Sequence, residues 1–396
     1  MPSQQSSTLL DANKIKASKL DLKAIRSMFP AAEKLTYLDS GFQTPLSVPI
    51  RAAIDRYLDE GFAAAGPKSV WIDRLEAARR KVARLLGVEP ENIAFTKNTS
   101  ECMNIAANAL PLEPGDNLLL IEGDHPNNAY AFLNLQRKGV EVRFVPARGH
   151  VNADTFRPYV DGRTRAISMS HVTFHAGALF DVQSVGRYCS ERDIYFVLDS
   201  MQAVGVVPID AKATKATFLG FGTHKGLLTP QGFGVLYWNR KHSELEPAYL
   251  ATASIENPPA DLIASSETAV PASTARRFEI GNFNLLGAGA LAAALDLLED
   301  VGVPNIEEHC YALGDHLING LDQLGIGLVG PRKREKRAPH IYVAALLPAS
   351  EWVEYLEDSG IRVSPERDGI RISFGMFNIV DDVDVFLAAV RDRLTP

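Results

Sequence analysis

Lys225 has an unusual setting for a lysine. It follows Thr223 and His224 within TFLGFGTHKGLLTPQGFGVLYW (217–238), where Gly226, Pro230, Gly232 and Gly234 lead into the strand-like run 235–238. A lysine held between apolar strands and glycines must offset its lost hydration by finding a partner or by giving up its proton. A neutral amine is a nucleophile. The chemistry that most needs one is Schiff-base formation with a carbonyl, above all the aldehyde of pyridoxal phosphate, and Thr223 and His224 stand where they could help hold the phosphate. The motif alone equally admits a lysine at a buried edge that reaches solvent along its methylene stem.

Other residues with chemical potential stand just after apolar runs. Asn98-Thr99-Ser100-Glu101 lies between the short strand 92–96 and the helical periodicity of 103–110. A strand, a turn of small hydroxyl residues and a helix N-terminus can bind an anion, or can be an ordinary helix cap. His125 follows the apolar run 117–122, Thr173 and His175 follow 165–170, and Asp199 and Gln202 follow 195–198. Asp199 carries the most weight, because a carboxylate behind the buried run YFVL needs a cationic partner, which a protonated pyridine nitrogen would supply. His125 could stack on such a ring or sit on the surface in a His-Pro turn. His175 could act as acid or base, or be a satisfied core histidine.

The elements that must position these residues alternate. Strands are expected at 35–38, 92–96, 117–122, 140–145, 165–170, 195–198 and 235–238, and helices at 48–62, 71–86, 103–110, up to 136, and 185–192. Such alternation implies βαβ units and a mostly parallel α/β sheet, whose ligands lie beyond the strand C-termini. After the long alanine-rich helix 288–301 the pattern changes to helices at 307–324, 351–359 and 383–393 with shorter strands at 340–346 and 369–374, a smaller α+β domain. The expected division is an arm and first helix at 1–34, a large domain at 35–300 and a small domain at 301–396. Residues 39–45 and 254–275 read as loops, and the basic run PRKREK (331–336) as a solvated loop.

Composition narrows the class. The 396 residues are 46% hydrophobic with a formal charge of −7, which argues against nucleic acid or an anionic membrane as the main partner. Cys102, Cys189 and Cys310 are scattered and show no metal-ligand spacing, so no metal site and a reducing compartment are expected. The first 20 residues are polar and read as a flexible arm, and no apolar run approaches the roughly 20 residues of a membrane span. A cytoplasmic protein is the expectation.

Taken in order, Thr99-Ser100, His125, Asp199 with Gln202, Thr223-His224-Lys225, Glu279-x-Gly281-Asn282, and Arg371 with Asn378 resemble the class V aminotransferase family of fold-type I pyridoxal-phosphate enzymes, over about 35–394. That family includes cysteine desulfurases, isopenicillin N epimerase-like proteins and C–S lyases. The resemblance implies a large domain with a seven-stranded sheet, Lys225 as the Schiff-base lysine, Asp199 on the pyridine nitrogen, Gln202 near the phenolic oxygen and His125 stacked on the ring. It implies a phosphate held by Thr99, Ser100, Thr223 and His224, with Thr173 nearby. Asn282 would reach the phosphate across a homodimer interface. Arg371 would grip the substrate carboxylate, with Asn378, Gly41, Phe42 and Phe174 as further pocket residues.

Two positions depart from that family. The loop before Arg371, Ser364-Pro365-Glu366-Arg367-Asp368-Gly369, carries no cysteine to accept sulfur, and Phe174 stands where an asparagine is frequent. The sequence therefore points to a β-eliminating C–S lyase or an epimerase-like enzyme rather than a desulfurase. Transamination is the alternative, and a non-catalytic scaffold of the same fold is the reading from another class.

Overall fold

The computed structural model describes residues 20–147, 149–261, 263–264 and 269–395, so the expected arm lies almost entirely outside them, as does part of the loop 254–275. A seven-stranded sheet runs in the order Ile93–Thr96, Gly234–Trp238, Phe218–Gly222, Tyr195–Asp199, Thr164–Ser170, Asn117–Ile121, Glu141–Val145. Its last five strands are mutually parallel, and only Gly234–Trp238 runs antiparallel to both neighbours.

Successive side chains of a strand point to opposite faces, and both faces here are apolar. Leu119, Ile167, Phe196, Leu198 and Phe221 join one buried cluster, with residues of helices Lys68–Leu86, Val182–Ser190 and Leu285–Val301. Leu118, Leu120, Ala166, Val197 and Phe218 join the other, with residues of helices Thr99–Ala109 and Pro126–Leu133. The strand Phe218–Gly222 is the central element that periodicity left undefined. A β-carbon on its Gly220 would come within 2.6 Å of Cys102 Cβ and Met103 Cε, so close packing of the Thr99–Ala109 helix demands a residue that weakens the strand signal.

The C-terminal part forms an antiparallel sheet in the order Ser364–Glu366, Gly369–Ser373, Ile341–Ala344, Leu328–Val329, accompanied by helices Val303–Gln323, Ala349–Asp358 and Val380–Leu394. The N-terminal segment is tied to this part. Strand Thr36–Tyr37 pairs in parallel with Ile361–Arg362, and Arg26 of helix Leu22–Ser27 grips Asp382 through two bonds of 2.9 and 3.0 Å. The basic run 331–336 is largely exposed, as expected of a solvated loop, and two of its arginines also make surface ion pairs, Arg334 with Asp315 and Arg332 with Asp322 at 2.5 Å. No helix among the described residues is long and apolar enough to cross a membrane, and none of them form a metal-ligating cluster.

Candidate active site

Lys225 leaves the strand Phe218–Gly222 on a turn that the rest of the chain clamps. Its carbonyl accepts the Thr44 hydroxyl at 2.8 Å and the Leu228 N–H at 2.9 Å, and the His224 carbonyl accepts the Thr44 N–H at 3.1 Å. The turn lies directly on the backbone after Asp199. A β-carbon on Gly205 would stand 2.3 Å from the Gly226 carbonyl oxygen, and one on Gly226 would stand 2.1 Å from that of Val204, so only glycines permit the approach.

Lys225 and Asp199 face one cavity of about 450 Å³. Burial pushes the Lys225 amine down to about 8, with the Arg371 charge adding to the effect and Asp199, Asp39 and Glu366 opposing it. No hydrogen bond or ion pair engages the Lys225 amine among the described residues. Asp199 ends the strand Tyr195–Asp199 at 6% exposure, and its Oδ1 accepts the Met201 N–H at 2.9 Å. Burial pushes its carboxyl up to about 7, and Asp124 raises it further while Lys225 pulls it down. An amine brought down and a carboxyl brought up toward neutrality on one cavity make both able to exchange protons near neutral pH.

Thr99, Ser100, His125, Phe174, Gln202 and His224 line the same cavity with Asn98 and Gly232, as do Lys97, Asn127, Met201 and Gln231, which the sequence analysis above did not single out. Thr99 and Ser100 open the helix Thr99–Ala109, capped by Asn98, whose Oδ1 accepts the Glu101 N–H at 2.9 Å. His125 caps the helix Pro126–Leu133. Its Nδ1 accepts the Asn127 N–H at 3.2 Å, which leaves the ring proton on Nε2, and its ring meets the edge of Phe174 at 5.0 Å. Burial first, and then the Lys225 charge, keep both His125 and His224 below the ordinary histidine value, His224 at about 4.

Asp124 is the positioning residue that periodicity did not mark. Its carboxylate accepts the His125 N–H at 2.7 Å, the Ser170 N–H at 2.8 Å and hydroxyl at 2.5 Å, and Asn128 Nδ2 at 3.0 Å. The signal available was its place between a strand end and a helix start.

Several expected residues lie elsewhere. The Thr223 hydroxyl donates to the Phe233 carbonyl and accepts from Thr229, inside the protein and away from the cavity wall. Thr173, whose hydroxyl accepts the Ala178 N–H, and His175 line a neighbouring hollow of about 300 Å³ with Asp124. Asn378 is fully buried, donates to the Tyr37 carbonyl and Asp382, and accepts the Gly375 N–H, so it holds the backbone together rather than facing a ligand. Gly41 accepts Gln202 Nε2 at 3.0 Å, and Phe42 is 58% exposed on a shallow hollow beside Pro45. Asn282 is exposed, while Asn284 donates to the Gly232 carbonyl on the cavity rim at 3.1 Å.

Arg371 departs most from its expected part. It lies on strand Gly369–Ser373 with Nη1 2.8 Å from Glu366 Oε1, and Nη2 3.3 Å from Asp39 Oδ1 and 3.1 Å from the Ser364 hydroxyl. Its fork is already filled by the chain's own acids. The turn Arg367-Asp368 ahead of Gly369 was the signal: a tight hairpin there sets Ser364 opposite Arg371 and Glu366 on the same face.

A cofactor bearing an aldehyde, a pyridine nitrogen and a phosphate suits the groups left over. Lys225 offers an unpartnered amine, Asp199 offers a buried carboxylate with only a backbone donor, and Gln202 Oε1 is buried without a partner. The helix N-terminus at Thr99 supplies the anion end.

A family model described as aminotransferase class-V matches residues 36–386. An uncharacterized aminotransferase of Schizosaccharomyces pombe is 35% identical over 371 residues, covering 91% of this chain and 93% of that protein. A probable cysteine desulfurase of Methanothermobacter thermautotrophicus is 31% identical over 301 residues, 74% of each chain. Among solved structures, the apo cysteine desulfurase of Thermococcus onnurineus NA1 superposes with a TM-score of 0.85 at 24% identity, covering 94% of this chain and 97% of that one. The chain therefore belongs to the class V aminotransferases, pyridoxal-phosphate enzymes of fold-type I.

Proposed function

We propose that the protein acts at the α-carbon of an amino acid or amine-bearing metabolite as a β-eliminating C–S lyase, with epimerisation as the next reading of the same site. The observation that carries this is the pair Lys225 and Asp199, shifted in opposite directions on one cavity. Bound there, pyridoxal phosphate supplies an electron sink for charge developing at the α-carbon. Asp199 holds a proton at the pyridine end, Gln202 and His125 flank the ring, and Thr99, Ser100 and His224 hold the phosphate. The Lys225 amine, poised near 8, takes and returns a proton at the substrate carbon. Val172 and Phe174 make one wall apolar and exclude water.

Sulfur transfer to a protein thiol does not suit this chain. The loop before Arg371 has no cysteine, and Cys102, Cys189 and Cys310 are all fully buried. Transamination stands as the alternative to both because of the likeness to an uncharacterized aminotransferase. A homodimer in the cytoplasm completes the proposal, supported by apolar side chains left exposed on helix Val48–Ala64, where Phe62 is 96% and Leu58 52% exposed.

The test is the visible absorption spectrum of the protein with added pyridoxal phosphate, beside that of Lys225→Ala. A band in the wild type that is lost or altered in the variant supports the reading, and the absence of any band refutes it and leaves a scaffold. With cysteine conjugates, pyruvate release marks the lyase. Solvent deuterium entering the α-position without keto acid marks the epimerase, and keto acid with aminated cofactor marks transamination.

A further inference from the structure

The charge of Arg371 bears on both the Lys225 amine and His125, so its guanidinium lies close behind the cofactor cavity. An amino acid held there by its amine carries its carboxylate two bonds away, and a planar guanidinium fork is the natural partner for that group. Yet Arg371 is 5% exposed and does not line the cavity. Both terminal nitrogens are already bonded. Nη1 reaches Glu366 Oε1 at 2.8 Å and the Phe174 carbonyl at 3.5 Å, while Nη2 reaches the Ser364 hydroxyl at 3.1 Å and Asp39 Oδ1 at 3.3 Å. A substrate carboxylate can pair with this fork only if one of these partners leaves.

The two acids are held very differently. Asp39 Oδ1 also accepts the Ser364 hydroxyl at 2.6 Å, and its carbonyl accepts the Phe42 and Gln43 N–H groups at 3.0 and 3.2 Å. Its backbone is bridged to Ser373 as well, so Asp39 is fixed. The Glu366 carboxylate has Arg371 as its single hydrogen-bonded partner among the described residues. It ends the short strand Ser364–Glu366 beside the turn Arg367-Asp368, where the Arg367 side chain is 82% exposed and open water is at hand. Burial raises the Glu366 carboxyl, with Arg371 and Lys225 opposing that effect and Asp39 adding to it. Arg371 and Arg362 likewise act on Asp39. One carboxylate replacing another among these cations leaves the balance of charge unchanged.

We propose that Glu366 is a displaceable stand-in for the substrate's carboxylate: it occupies the Nη1 side of Arg371 and yields that place when an amino acid enters the cavity. The proposal rests on the cofactor reading above and deepens it by naming the residue that sets the threshold for amino-acid binding. Glu366 is a positioning residue that acts through Arg371. An internal competitor lowers apparent affinity by the fraction of time it holds the fork. Removing its charge therefore strengthens the binding of amino acids and leaves amines that lack a carboxylate as they were.

The experiment uses the cofactor-loaded protein and a matched pair, S-methyl-L-cysteine and S-methylcysteamine, which differ only by the carboxylate. Binding is read as the shift of the cofactor absorption band, which needs no turnover. In Glu366→Gln the amino acid is expected to act at a concentration about tenfold below that needed in the wild type, and S-methylcysteamine at the same concentration in both. A general disturbance of the site would instead weaken both compounds. Glu366→Ala provides the same reading should the first variant fail to fold. An amino acid bound no more tightly in either variant, an equal change for the two compounds, or no response to S-methyl-L-cysteine in any of the proteins overturns the assignment. Failure to take up cofactor overturns the underlying reading instead, and a band shift without pyruvate release overturns the lyase chemistry alone, so the failures are separate.

Discussion

Asp199→Asn tests the central electrostatic argument in the cofactor-free protein, where the acid has no pyridine nitrogen to meet. Its folded-state carboxyl is raised from 3.8 to about 7, chiefly by burial. A raised acid does not penalise the folded state while both forms are protonated. The cost appears as pH rises above the unfolded value and is complete above the folded one. A shift of about three units corresponds to roughly 4 kcal/mol at about pH 8.5 and roughly half of that near pH 5.5. Asparagine has nearly the same shape, carries no charge, and keeps an oxygen for the Met201 N–H, so the variant should recover most of this energy. With unfolding entropy of about 2 cal/mol/K per residue over 396 residues, 4 kcal/mol amounts to about 5 °C in melting temperature. Thermal melts of the two cofactor-free proteins across this pH range provide the assay. The variant should melt higher at high pH, by a margin that narrows toward acid, and should bind pyridoxal phosphate more weakly. A variant that melts no higher than the wild type at high pH, or by a margin independent of pH, refutes the burial argument.

Other outcomes follow from the same contacts. Glu279, fully buried, accepts Arg79 at 2.7 Å and the Phe95 N–H at 2.8 Å, so Glu279→Ala strands a buried guanidinium and should cost about 3–5 kcal/mol by denaturant titration. A loss under about 1 kcal/mol would mean that Arg79 finds water. Burial pushes the Cys102 thiol up to about 12 and raises Cys189 and Cys310 likewise, so all three should resist a thiol reagent in the native protein and react only on unfolding. Rapid labelling of any one of them would reopen sulfur transfer. The rate of cofactor capture by Lys225 should rise with pH and level off above about 8, where its amine is neutral. A rate that keeps climbing toward 10 would show an ordinary surface lysine.

Much of this protein could be read before folding was considered. Hydrophobic runs of a few residues alternating with helical periodicity are local properties, so the parallel core strands and the helices between them follow from the chain in order. The same holds for Lys225 and Asp199, whose apolar flanks declare a buried amine and a buried acid, and for the helix N-terminus at Thr99. The strand Phe218–Gly222 escaped because its glycines serve a neighbouring helix. Other features depend on residues far apart meeting at a register no local signal encodes. Asp39 reaches Arg371 across 332 positions because the segment after Thr36–Tyr37 runs beside the C-terminal strands, with Asp39 bridged to Ser373. That crossing turns a free arginine fork into a filled one. Thr223, Thr173 and Asn378 look ligand-like in sequence, yet their polar atoms satisfy buried backbone and side-chain partners. A side chain's type shows which bonds it can make, and only the tertiary fold decides whether those bonds are spent within the protein or left for a ligand.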